Sequence, residues 1–137
     1  MARTYDPGTL ATPNVSSEAW ALNWVRATLR DVPNDAGVYP EGSYSDEEIK
    51  GALALHSATA PDGTRLYAPH VVAAALVEND PRRALSYGVA GLSGQLPQPR
   101  EVAAAILRSG SAIDRMIRDA GGVPPSTGRS RIVEALW

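Results

Sequence analysis

Leu22, Val25, Leu29 and Val32 recur at steps of three, four and three, which places them on one face of a helix. Trp20 and Trp24 flank that stripe, and Ser16 or Ser17 can cap the free amides of the first turn. Pro33 cannot donate the next hydrogen bond and marks the end of the helix. The segment Tyr44-Ser45-Asp46-Glu47-Glu48-Ile49 predicts a second helix. Ser45 and Glu48 have the spacing of a capping box, and three carboxylates sit at the positive end of the helix dipole. Ile49 and Leu53, with Ala52 or His56, supply its apolar face, and Pro61-Asp62-Gly63 closes the segment with a turn. Pro69 suits the first position of a third helix, running through Val72 and Leu76 to about Asn79, with Asp80-Pro81 breaking or restarting it.

Gly88, Gly91, Gly94, Pro97 and Pro99 argue against a long helix over 84–99 and predict a flexible loop, compatible with two short strands. Beyond Pro99, Val102, Ile106, Ile113, Met116 and Ile117 keep one face across Gly110. That phase predicts a single helix to about Ala120, roughly 30 Å long at 1.5 Å per residue, stopped by Gly121-Gly122 and Pro124-Pro125. The predicted fold class is all-α: a small bundle of four main helices, with a flexible Gly/Pro-rich loop and extended terminal arms. Residues 1–16 form the N-terminal arm, 17–122 the helical domain and 123–137 the C-terminal tail.

The tail carries Ile132, Val133, Leu136 and Trp137 at the spacing of one helical face, with Ser130 able to cap the turn and Glu134 off the stripe. So short a segment does not hold a helix alone, and its apolar groups call for a cover. Either the tail folds back on its own bundle, or it docks in a partner's groove with Arg129 and Arg131 at the rim.

Composition narrows the function. A chain of 137 residues with 44% hydrophobic and 20% charged residues is one ordinary soluble domain, able to bury a core unaided. The absence of cysteine excludes a disulfide scaffold, a cysteine zinc finger and a thiol nucleophile. A net charge of −2 supplies no general field for nucleic acid phosphates. Lys50 is the only lysine beside 12 arginines, which fits the codon usage of a GC-rich genome. No apolar run approaches the ~20 residues of a membrane span, and no apolar region follows the N-terminus, so a cytoplasmic product is expected.

Catalytic signatures fail on residue type. The single lysine lies in a capping-box helix, which removes the phosphate-binding loop and the Ser-x-x-Lys pair. Gly91-Leu92-Ser93-Gly94 misses the nucleophile-elbow spacing by one residue. His56 and His70 lie on different elements and read as boundary histidines rather than zinc ligands. Asp46, Glu47 and Glu48 are accounted for by the helix start without a metal. No enzyme activity, cofactor or metal is expected. An alternative is a small DNA-binding regulator, with residues 99–120 split at Ser109-Gly110-Ser111 into a helix-turn-helix and Arg115 and Arg118 on the recognition helix. The unbroken apolar phase and the acidic balance weigh against it, and Gly110 reads more simply as a place where another helix passes close.

The order Trp24-Val25-Arg26, Leu29-Arg30-Asp31, a loop, then Tyr44-Ser45-Asp46-Glu47-Glu48-Ile49 resembles the head–tail adaptor (connector) proteins of tailed bacteriophages. The resemblance continues through the Ala-rich helix at 69–79, the Gly-rich segment and the helix from 99, over roughly residues 20–120. The loop at 84–99 is richer in Gly and Pro than that pattern. The resemblance implies a structural virion protein at the head–tail interface, assembled in the host cytoplasm into a ring, usually twelve-fold. Such a ring sits beneath the portal, extends the DNA channel without binding DNA specifically, and receives the next tail or connector protein. Its implied partners are therefore itself, the portal protein and that next protein, with no membrane. In that setting Arg129, Arg131, Ile132, Val133, Leu136 and Trp137 are the expected contacts to the portal or an adjacent subunit, and Gly88, Gly91 and Gly94 lie in an inter-subunit loop.

Overall fold

The computed structural model describes residues 2–79 and 99–125. Among them the chain is mostly helical, with one two-stranded hairpin. A 3₁₀ turn, Pro7–Ala11, precedes α1 (Glu18–Leu29), α2 (Asp46–Leu55) and the strands β1 (Ala58–Thr59) and β2 (Arg65–Leu66). Three further helices follow: α3 (Pro69–Asn79), α4 (Pro99–Ser109) and α5 (Ser111–Asp119).

Helix starts follow local chemistry. The Ser17 hydroxyl accepts from the Trp20 amide at 3.2 Å and caps α1. Ser45 and Glu48 form the full capping box of α2, each side chain accepting from the other's backbone N–H at 3.2 Å. Pro69 opens α3, whose His70, Val71, Val72, Ala73, Ala74 and Val77 are all buried, so this helix lies across the centre of the core. It packs most extensively against α4, then α1, which in turn holds α2 and the 3₁₀ turn.

Three elements differ from expectation. First, α1 ends at Leu29 rather than at Pro33, because Arg30 turns left-handed (φ 57°) and the Asp31 amide bonds back to the Arg26 carbonyl at 2.8 Å. This is the six-to-one closure of a Schellman cap, formed without glycine. Second, residues 99–120 are two helices, not one. The Gly110 amide bonds the Leu107 carbonyl at 3.2 Å, tightening the last turn of α4, and α5 restarts from the Gly110 carbonyl. A Cβ on Gly110 would run into the His70 ring, so the joint sits where α3 passes close. That close approach is as expected for Gly110, whereas the unbroken helix is not. Third, the chain before α1 is no free arm. The Ala2 carbonyl accepts from the Asp46 amide, Thr4 bonds the Asp46 carboxylate, and the Asp6 amide donates to Asn23 Oδ1 at 2.6 Å.

The hairpin, antiparallel with Ala58 opposite Leu66, was not anticipated by the sequence pattern. Two residues per strand are too few to alternate visibly. Its turn does fall at Pro61-Asp62-Gly63, where the Asp62 carboxylate accepts from the Thr64 amide at 2.9 Å. Gly121 and Gly122 leave no room for side chains against Pro61 and Leu66, which fixes the end of α5 on the hairpin.

Candidate functional site

The expected partner residues Arg129, Arg131, Ile132, Val133, Leu136 and Trp137, and the loop glycines Gly88, Gly91 and Gly94, lie outside the described residues. What the described residues bring together is two buried polar clusters and one apolar groove.

The first cluster is built on Arg26, whose side chain is fully buried. Its Nη1 donates to Asp31 Oδ2 at 3.1 Å and its Nη2 to Asp46 Oδ1 at 2.7 Å, while the guanidinium carbon lies 5.4 Å from the centre of the Tyr39 ring. Asp31 also accepts from the Ser43 hydroxyl at 2.6 Å and the Tyr44 amide at 3.0 Å. Asp46 accepts from the Thr4 amide and hydroxyl, both at 2.9 Å. Asp46 is thus more than a favourable first-turn charge. It ties the N-terminal segment, α1 and α2 into one knot. Burial pushes its carboxyl pKa up, but the bonds from Arg26 and Thr4 and the Arg26 charge outweigh that and hold it below the ordinary value. One arginine facing two aspartates leaves a surplus negative charge, which the amides of Thr4 and Tyr44 and the start of α2 offset.

The second cluster corrects the boundary reading of His70. Its ring is fully buried, with Nε2 at 2.7 Å from Asp114 Oδ1 on α5 and the Trp24 ring edge-on at 6.5 Å. Nδ1 is buried, with no partner among the described residues. A neutral ring donating from Nε2 leaves Nδ1 a bare acceptor, whereas protonation would bury an N–H with nothing to receive it. Desolvation pushes the His70 pKa down, against the opposing pull of Asp114.

The groove, about 490 Å³, runs between the 3₁₀ turn, α1 and the joint of α4 with α5. Trp20 and Ile113 form its floor, Leu10, Trp24 and Met116 its partly exposed walls, and Thr28 and Ser109 its few polar points. Trp20 Nε1 is buried, with no acceptor among the described residues.

A signal for the first cluster existed in the sequence. Arg26 stands four residues after Leu22 and three before Leu29, inside the apolar stripe rather than outside it. A charge on a core-facing position calls for a buried partner. Among the described residues, no group of three or more His, Asp or Glu side chains is placed to hold a metal ion. No described helix is long and apolar enough to cross a membrane. Comparisons with protein families, characterised proteins and solved structures find no match to this chain.

Proposed function

We propose that this chain is a head–tail connector of a tailed bacteriophage. In this reading its four main helical units, with α4 and α5 as one bent unit, form a subunit of a ring beneath the portal. The ring extends the DNA channel and presents the surface on which the tail or next connector docks, with residues 129–137 contacting the portal or an adjacent subunit. One observation carries the proposal. The separated pieces on which the resemblance rests, Arg26, Asp31 and Tyr44-Ser45-Asp46, converge on a single buried network. Their order along the chain then has a physical role, because they fix how α1, α2 and the N-terminal segment meet. Such a framework gives a rigid building block rather than a reaction centre.

The helix-turn-helix alternative gains nothing from the joint at Gly110. One residue separates α4 from α5, where that motif uses a turn of about three or four.

The test is genetic and structural. Removing the gene from the phage that carries it should yield DNA-filled heads without tails, alongside free tails, and the protein should co-purify with intact particles at a copy number near that of the portal. Normal tailed particles from the deletion, or absence of the protein from purified virions, would overturn the reading.

A further inference from the structure

We propose that in the free chain the apolar groove is filled by the chain's own residues 132–137. Two observations bear on the groove. Its walls are Leu10, Trp24 and Met116, all only partly buried, so it is apolar surface left incompletely covered by the described residues. By contrast, the exposed large hydrophobics Val38, Leu55 and Val123 come from separate segments and line no part of it. A peptide segment supplies what these walls lack, aliphatic and aromatic side chains to cover them.

The chain's own course selects which peptide. Pro124 is buried, and Gly121 and Gly122 hold the end of α5 on the hairpin. The chain therefore departs from the same helix whose first half, Ala112, Ile113 and Met116, lines the groove. From Asp119 back to Ala112 is roughly 10 Å along the helix. Residues 126–131 span up to about 20 Å when extended. That length is enough to bring Ile132, Val133, Leu136 and Trp137 alongside the groove. Tethering adds an effective concentration in the millimolar range for a short linker, which favours the chain's own groove over that of a second copy. The proposal goes beyond the connector reading, under which assembly would draw the same residues out towards a partner. It is tested on the isolated protein, so either can fail without the other.

The chain contains no cysteine, so paired substitutions report proximity cleanly. Ala112 is exposed on the groove wall, and Ala112→Cys combined with Leu136→Cys places one thiol there and one on the tail. Leu55→Cys with Leu136→Cys is the control, since Leu55 is 78% exposed and lines no part of the groove. Under mild oxidation of dilute protein the groove pair should close an intrachain disulfide, at monomer mass, about tenfold faster than the control. Equal rates in the two pairs would show that the tail does not occupy the groove. Dimer-mass disulfides in the groove pair alone would assign the groove to a second copy and overturn the proposal in favour of exchange between subunits.

Discussion

Arg26 is held without solvent by two carboxylates, so its worth is set by what its removal would strand. Arg26→Met would leave Asp31 and Asp46 buried without their cation. A loss of about 4 kcal/mol is expected, within the range for breaking one side of a buried pair, and urea unfolding would read it. Asp46 also makes stability depend on acid. Its folded pKa is depressed by Arg26 and Thr4 overcoming the effect of burial, so its contribution is complete above the ordinary carboxylate pKa of about 3.9. That contribution is lost as pH falls through the lower folded value. Asp46→Asn should flatten the fall in melting temperature below about pH 4. His70 acts in a higher range. Burial depresses its pKa in the folded chain despite Asp114, so below about pH 6.5 the unfolded chain takes up the proton first. Stability should therefore decline as pH drops from 7 through the folded pKa and level off beneath it. A His70→Gln protein whose melting temperature keeps the same slope over that interval would show that His70 is not the group responsible.

At the scale of elements, the joints matter more than the helices they separate. Gly110 is the N-cap of α5, a position that suits glycine better than alanine, and an added Cβ would run into the His70 ring. Overpacking of this kind costs about 1–3 kcal/mol, so a net loss is expected, and a gain in thermal stability would show that the joint can relax. Arg30 presents the opposite case. It is exposed and left-handed at φ 57°, so Arg30→Gly should raise stability by about 0.5–1 kcal/mol, glycine's greater freedom in the unfolded chain offsetting part of the relieved strain. These joints explain what was legible in the sequence. Ser17, the Ser45–Glu48 box and Pro69 are local signals, and the helices begin where they say. The break at Gly110 depends on His70, forty residues away, and the early end of α1 on a left-handed arginine that no local preference favours. The apolar phase across Gly110 persisted because both short helices bury the same side, so phase could not reveal the bend. The polar core was half legible. Asp46 was visible as a helix-start charge and Arg26 as a charge within a stripe, but their pairing across the loop 30–45 is a tertiary fact. His70 could not be placed in the core from a lone histidine beside a proline.

For the molecule as a whole, the connector and regulator readings differ most in how they treat DNA. A channel that lets a duplex slide needs weak, sequence-indifferent contacts, while a regulator needs a concentrated basic face to supply the counterion-release term of its affinity. The net charge is −2, and Arg26, one of the twelve arginines, is consumed inside the fold. The helix that would have to read bases, α5, exposes Arg115 and Arg118, but Asp114 and Asp119 stand beside them. Ile113 and Ile117 commit its apolar side to the core. Nine residues with two arginines and two aspartates give little net field. The isolated protein is therefore expected to show no nanomolar, sequence-selective duplex binding at about 0.15 M salt, and only a shallow dependence of any weak binding on salt. A fluorescence-anisotropy titration against a randomised duplex pool, followed by sequencing of the retained fraction, measures both. Enrichment of one site at nanomolar affinity would remove the ground for a sliding channel and return residues 99–120 to the role of a DNA-reading unit. A flat sequence profile with micromolar or weaker binding is what a ring subunit through which DNA passes requires.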